Sequence, residues 1–132
     1  MMAVHRVLVA DDDDDERLIT SLLVRSVFRD TECTGHLEVV VVSNGEAAIA
    51  EIQREPYDLV LTDLNMGVGL KDGFDVARSA YTNNVRCFIV TNGKLHCGAT
   101  KSCPTERCAL PTEAVVAKHD LRPLLTALFR AA

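Results

Sequence analysis

The 132-residue sequence predicts an α/β fold, a doubly wound five-stranded parallel sheet with helices on both faces. Three observations carry that reading. Short apolar runs alternate with helix-period segments from end to end. The runs are almost wholly apolar rather than alternating, as expected of strands buried on both faces. Polar residues follow four of the five runs, where open α/β sheets place their ligands.

The first strand is Val7–Ala10, stopping at Asp11. A helix follows over Asp13–Phe28, with Leu18, Leu22, Leu23 and Val27 as its apolar positions. Leu37–Val42, with four consecutive valines, is the second strand. Ser43-Asn44-Gly45-Glu46 has the capping-box form and opens a helix with Ala47, Ile49 and Ile52 inward, stopped by Pro56. Asp58–Thr62 is the third strand and ends at Asp63. A glycine-bearing loop, Asn65–Lys71, leads through Asp72-Gly73 to a helix over about Phe74–Tyr81. Asn83-Asn84 is a turn signal, and Val85–Val90 is the fourth strand, ending at Thr91. Asn92–Leu110 is the least regular stretch and fits only a short or distorted helix. Glu113–Ala117 is the fifth strand, ending at Lys118. Leu121–Ala131 is the closing helix, with Asp120 as its N-cap.

The length suits one domain, residues 1–132, with a core that needs no disulfide or metal. Hydrophobic residues at 48% and charged residues at 25% are ordinary for a globular chain and argue against disorder. A net charge of −5 without a basic stripe argues against nucleic-acid binding. No apolar run is long enough for a membrane span, and no signal peptide is expected, so the expected compartment is the cytoplasm. Five cysteines, with no CxxC pair, read as mostly reduced thiols.

Asp11 and Asp12 follow the first strand, Asp63 the third, Thr91 the fourth and Lys118 the fifth. Three carboxylates brought together repel unless a hard divalent cation lies between them. Magnesium takes about six oxygens and keeps several waters, so two carboxylates and a carbonyl suffice as protein ligands. A lysine and a hydroxyl beside that cation suit a phosphoryl group. Asp63 is then a candidate nucleophile forming an acyl phosphate. Taken singly these residues are unremarkable. Asp11 and Asp12 alone read as acids on a helix dipole, worth about 0.3–1 kcal/mol each. Asp13, Asp14 and Asp15 read as a solvated helix start.

Five segments in order carry a family resemblance: Val7–Asp13, Asp58–Met66, Asp72-Gly73-Phe74, Val90-Thr91 and Lys118. Together they resemble the receiver domain of two-component response regulators, over about residues 4–131. The resemblance implies a flavodoxin-like strand order, 2-1-3-4-5. It implies Asp63 as phosphoacceptor, Asp12 as direct Mg2+ ligand and Asp11 as a ligand through water. Asn65 would offer its backbone carbonyl to the metal. Lys118 would pair with the carboxylate and then with the phosphoryl group, and Thr91 would swing toward that group. The donor would be a phosphohistidine on a sensor histidine kinase or phosphotransfer protein. The chain would act without an output domain, by protein contact through about residues 94–131. It would be no enzyme beyond its own phosphoryl transfer and dephosphorylation.

The sequence departs from the family at several positions. Val115 stands where receivers often carry the aromatic switch residue. His119 replaces the proline that usually follows the lysine, so a trans bond is expected there. Asn92 replaces a small residue after the threonine, and the loop Gly67–Lys71 lacks the usual proline and is slightly long. Two other functions are weighed on these grounds. One is an unphosphorylated pseudo-receiver acting as an interaction module. The other is a thiol- or metal-sensing variant using His96, Cys97, Cys103 and Cys108, whose spacing fits no familiar zinc finger. Cys97 and Cys108 otherwise pack as small hydrophobes. A hydrolase on a related sheet would need an acid two residues after the nucleophile, where Asn65 stands.

Overall fold

The computed structural model describes residues 6–32, 35–64, 66, 71–91 and 115–131. Five parallel strands form one sheet: β1 Arg6–Ala10, β2 Glu38–Val42, β3 Leu59–Asp63, β4 Arg86–Thr91 and β5 Val115–Ala117. Their order is β2-β1-β3-β4-β5, as the family resemblance implies. The helices among the described residues are α1 Asp14–Asp30, α2 Gly45–Arg54, α3 Gly73–Thr82 and α4 Leu121–Ala131. None of them is long and apolar enough to cross a membrane.

Side-chain alternation along the strands divides the core into two layers. Leu8, Val60, Cys87 and Ile89 point to one face, with Ala48 and Ile52 of α2 and Phe74, Val76 and Ala77 of α3. Val7, Val9, Leu59, Leu61 and Val90 point to the other, with Val24, Val27 and Phe28 of α1 and Leu121, Leu125 and Phe129 of α4. Phe28 and Phe129 meet edge to face with centroids 5.4 Å apart. Both faces of β1 and β3 are therefore sealed, which is why these strands read as continuous apolar runs. At the edge away from the strand C-termini, the Arg6 guanidinium pairs with Glu38 at 2.6 Å and lies 4.7 Å from the Tyr57 ring centroid. The Arg6 N–H donates to Asp58 Oδ2. These contacts hold the start of β1 between β2 and β3.

Burial decides which face of α1 is inward, and three local expectations elsewhere need correction. On α1 the inward residues are Thr20, Ser21, Val24, Val27 and Phe28, with Leu23 half-buried. Leu18 and Leu22 face away, at 56% and 55% exposure, and Ile19 beside them reaches 58%. The helix carries two apolar stripes, and the one holding Phe28 is the one that meets α4. On α2 the deepest side chains are Ala48 and Ile52, with Ala47 and Ile49 only half-buried. Its N-cap is Asn44 rather than Ser43, the Asn44 side chain accepting from the Ala47 N–H at 2.7 Å. Asp120 lies in a 3-10 turn, Lys118–Asp120, that runs directly into α4.

Other local readings hold. Asp72 caps α3 in a capping box with Asp75. Asn83 and Asn84 form the turn after α3, Asn84 in the left-handed region at φ 59°. The Lys118–His119 bond is trans, no cis peptide being present among the described residues. The expected distorted helix over 92–110 lies outside the described residues, as do Cys33, Asn92 and the loop 67–70.

Candidate functional site

Strand register brings the candidate residues to one edge of the sheet. Ala10 lies opposite Thr62 on β3, Asp63 opposite Val90 on β4, and Thr91 opposite Ala117 on β5. Asp11, Asp63, Thr91 and Lys118 therefore stand at neighbouring C-terminal strand ends, with Asp12 next along the chain. Their separation in sequence vanishes because every crossover returns the chain to the same edge.

Asp11 is buried, at 4% exposure. Its Oδ1 accepts from the Asp13 N–H at 3.0 Å, and its backbone carbonyl accepts from Arg17 Nη1 at 2.8 Å. Asp13 in turn caps α1, accepting from the Glu16 N–H. The acidic run after β1 thus divides its work. Asp11 turns into the site, Asp12 lies exposed at its rim, and Asp13 starts the helix.

Asp63 closes β3, and its Oδ1 accepts from the Leu64 N–H at 2.9 Å. The buried Thr62 hydroxyl donates to the Asp63 carbonyl at 2.9 Å. From the other side Gly73 closes on the same backbone. Its N–H donates to the Leu64 carbonyl at 2.8 Å. A Cβ at Gly73 would lie 2.3 Å from the Asp63 carbonyl oxygen, so only glycine allows α3 to start there. The Asp72-Gly73 pair is therefore a docking point for the turn that carries Asp63.

One oxygen from each of Asp11, Asp12 and Asp63 lies within 4.8 Å of the others. Burial, then the neighbouring Asp11 carboxylate, push the Asp63 carboxyl up to about 6, although the Leu64 N–H and Lys118 pull it down. Burial also raises Asp11, opposed by its hydrogen bond from Asp13. Both shifts report crowded negative charge in a partly desolvated place. Such a set fits a small divalent cation, because modest side-chain rotations bring carboxylate oxygens to the roughly 2.0–2.1 Å that Mg2+ requires.

Lys118 lines the pocket at this edge with Asp11, Asp63, Thr62 and Thr20. Contrary to what the family resemblance implies, its Nζ does not hydrogen-bond to Asp63. It pairs with Glu16 Oε2 of α1 at 2.7 Å. Thr91 is half-buried at the end of β4. Val115 lies in register with Ile89 and packs against the α2–α3 core layer. Asn65, His96, Cys97, Cys103 and Cys108 lie outside the described residues.

The comparisons with known proteins agree with this geometry. The model of the response regulator receiver domain matches residues 7–99, most of the chain. This chain belongs to that family. The receiver is 36% identical over 77 residues to the response regulator receiver protein CpdR of Brucella abortus, covering 58% of this chain and 56% of that one. It is 43% identical over 63 residues to the 3',5'-cyclic-nucleotide phosphodiesterase regA of Dictyostelium discoideum, covering 46% of this chain and 7% of that one. The chain thus spans less than two-thirds of the curated relatives it matches. Among solved structures it resembles the receiver domain of the sensor histidine kinase PA1611 from Pseudomonas aeruginosa, whose active-site cleft coordinates magnesium. That likeness has a TM-score of 0.61 at 22% identity, over 96% of this chain and 98% of that one. A CheY-like receiver domain from Methylobacillus flagellatus gives 0.63 at 15% identity, over 96% and 99%. The fold and the receiver assignment are thereby those expected from the sequence.

Glu16, Thr62 and the close approach at Gly73 are the parts of the site that sequence reasoning missed. Glu16 sits at the end of the acidic run and carries no signal of its own there. Its partner is 102 residues away. Thr62 precedes the acceptor candidate and reads as one more strand residue.

Proposed function

We propose that this receiver is a phosphoacceptor of a two-component relay, taking a phosphoryl group from a phosphohistidine onto Asp63. The observation that carries the reading is the convergence of Asp11, Asp12 and Asp63 beside Lys118 at the carboxyl edge of the sheet. With its Oδ1 held by the Leu64 N–H, Asp63 keeps Oδ2 for attack on phosphorus. The new P–O bond forms as the donor's P–N bond breaks, and the imidazole leaves with the electron pair and takes a proton from water. A carboxyl near 6 is mostly ionised at neutral pH and so nucleophilic.

Asp12 and Asp63 would hold Mg2+ directly, Asp11 through water and Asn65 through its carbonyl. Bound there, the cation would neutralise phosphoryl oxygens during transfer. Lys118 supplies a second positive charge at the same edge, and Thr91 a hydroxyl donor. The donor would be a sensor histidine kinase or phosphotransfer protein. The exposed stripe Leu18, Ile19 and Leu22 runs along α1 from the rim of the site and offers it an apolar contact. Signalling onward would proceed by protein contact. The acidic set favours this reading over a receiver that never carries phosphate, since three crowded carboxylates cost stability without serving packing.

Intact mass after incubation with acetyl phosphate and Mg2+ tests the proposal. One phosphoryl group should appear on the wild type, and none on Asp63→Asn or without Mg2+. An unmodified wild type, also with a histidine-phosphorylated donor, would reject it.

A further inference from the structure

Lys118 Nζ is held by Glu16 Oε2 at 2.7 Å, and both side chains are partly buried. Glu16 lies in the first turn of α1, and Lys118 follows β5. The pair therefore joins α1 to the turn after β5, beside the pocket that Lys118 lines. Lys118 has three N–H donors, and the Glu16 carboxylate takes one of them away from the position where a phosphoryl group would sit. Glu16 also adds negative charge beside Asp11, whose carboxyl it helps to raise.

We infer that Glu16 is a positioning residue, which restrains Lys118 away from Asp63 and thereby weakens the receiver's hold on a phosphoryl group. The inference rests on the phosphoacceptor reading and deepens it. In the occupied state the ammonium must leave Glu16 or divide its donors between Glu16 and the phosphoryl oxygens. Either way part of the Lys118–Glu16 attraction is lost, and affinity for the anion falls by the same amount. A partly exposed ion pair is worth up to about 1 kcal/mol, so release should strengthen anion binding up to about five-fold. Because Glu16 is one turn from Ile19, the same exchange alters the charge next to the exposed stripe of α1.

The test is a double-mutant cycle read by beryllofluoride binding with Mg2+, followed by 19F nuclear magnetic resonance on the full chain. Wild type, Glu16→Gln, Lys118→Ala and the double variant are compared. Glu16→Gln should bind more tightly than wild type, by up to about five-fold. In the Lys118→Ala background the same change should bring a clearly smaller gain. Equal gains in both backgrounds would show Glu16 acting only as a nearby charge and would overturn the inference, as would no gain in the wild-type background. A second readout needs no phosphoryl analogue. The Lys118 ammonium protons should exchange slowly in wild type and fast in Glu16→Gln, and fast exchange in both would reject the restraint. Wild type that binds no beryllofluoride and takes no phosphate would instead reject the phosphoacceptor reading, and the inference with it.

Discussion

At the scale of single residues, Asp63 concentrates the cost of the site. Its carboxyl sits near 6 when folded, against 3.8 for an unburied group. Below about pH 4 it is protonated in both folded and unfolded chains and has no effect on stability. Between about 4 and 6 it ionises first in the unfolded chain, so stability falls as pH rises. Above 6 the penalty is constant. Asp63→Asn keeps an oxygen for the Leu64 N–H and removes the charge. It should stabilise the protein by roughly 1–2 kcal/mol at pH 7.5 and by much less at pH 4. Mg2+ should recover most of that gain in the wild type and little in the variant. Urea denaturation followed by circular dichroism at the two pH values checks all three. A variant no more stable than wild type at pH 7.5 would mean that the Asp63 carboxylate is not strained. The residues legible in advance were those, such as Asp11 and Asp63, that stand directly at strand ends in sequence. Glu16 was not, because the pairing that gives it meaning is created by the fold.

At the scale of elements, the sequence showed where each helix and strand lies more clearly than which way it faces. Boundaries shifted by a residue or two, as with β1, which begins at Arg6. The face of α1 is not legible in the sequence because Leu18 and Leu22 are as apolar as Val24 and Phe28, and only the position of α4 decides between the stripes. This difference is measurable. Leu22→Ala should change stability by no more than about 0.5 kcal/mol, whereas Leu125→Ala, at a fully buried site of α4, should cost about 2–5 kcal/mol. Similar losses for the two would place Leu22 in the core after all. The start of α3 behaves as an element-scale constraint too. A methyl group at Gly73 must push against the Asp63 backbone rather than a yielding side chain. Gly73→Ala should cost about 1–3 kcal/mol and slow phosphorylation by acetyl phosphate, read by denaturation and intact mass together. A variant of wild-type stability would show that α3 can retreat from the turn freely.

At the scale of the whole molecule, parallel crossovers make the site and also limit how a change there can travel. Asp11, Asp12, Asp63, Thr91 and Lys118 are all at one edge, so an event at Asp63 reaches other surfaces only through packed layers or through side chains that change partner. An aromatic ring in β5 would be such a device, able to exchange an exposed for a buried position. Val115 cannot do this. It is half-buried against the α2–α3 layer, has one preferred rotamer and sits in register with Ile89. Among the described residues the Lys118–Glu16 pair is the contact inferred to change partner, and it leads to α1. Amide shift changes on adding beryllofluoride and Mg2+ should therefore be large near Asp11–Ile19, Asp63–Leu64 and Lys118. They should be small at Arg86–Phe88 and along Leu124–Phe129. Strong changes across β4 and α4 would mean that Thr91 relays the signal without an aromatic partner, and that α1 is not the principal surface to respond.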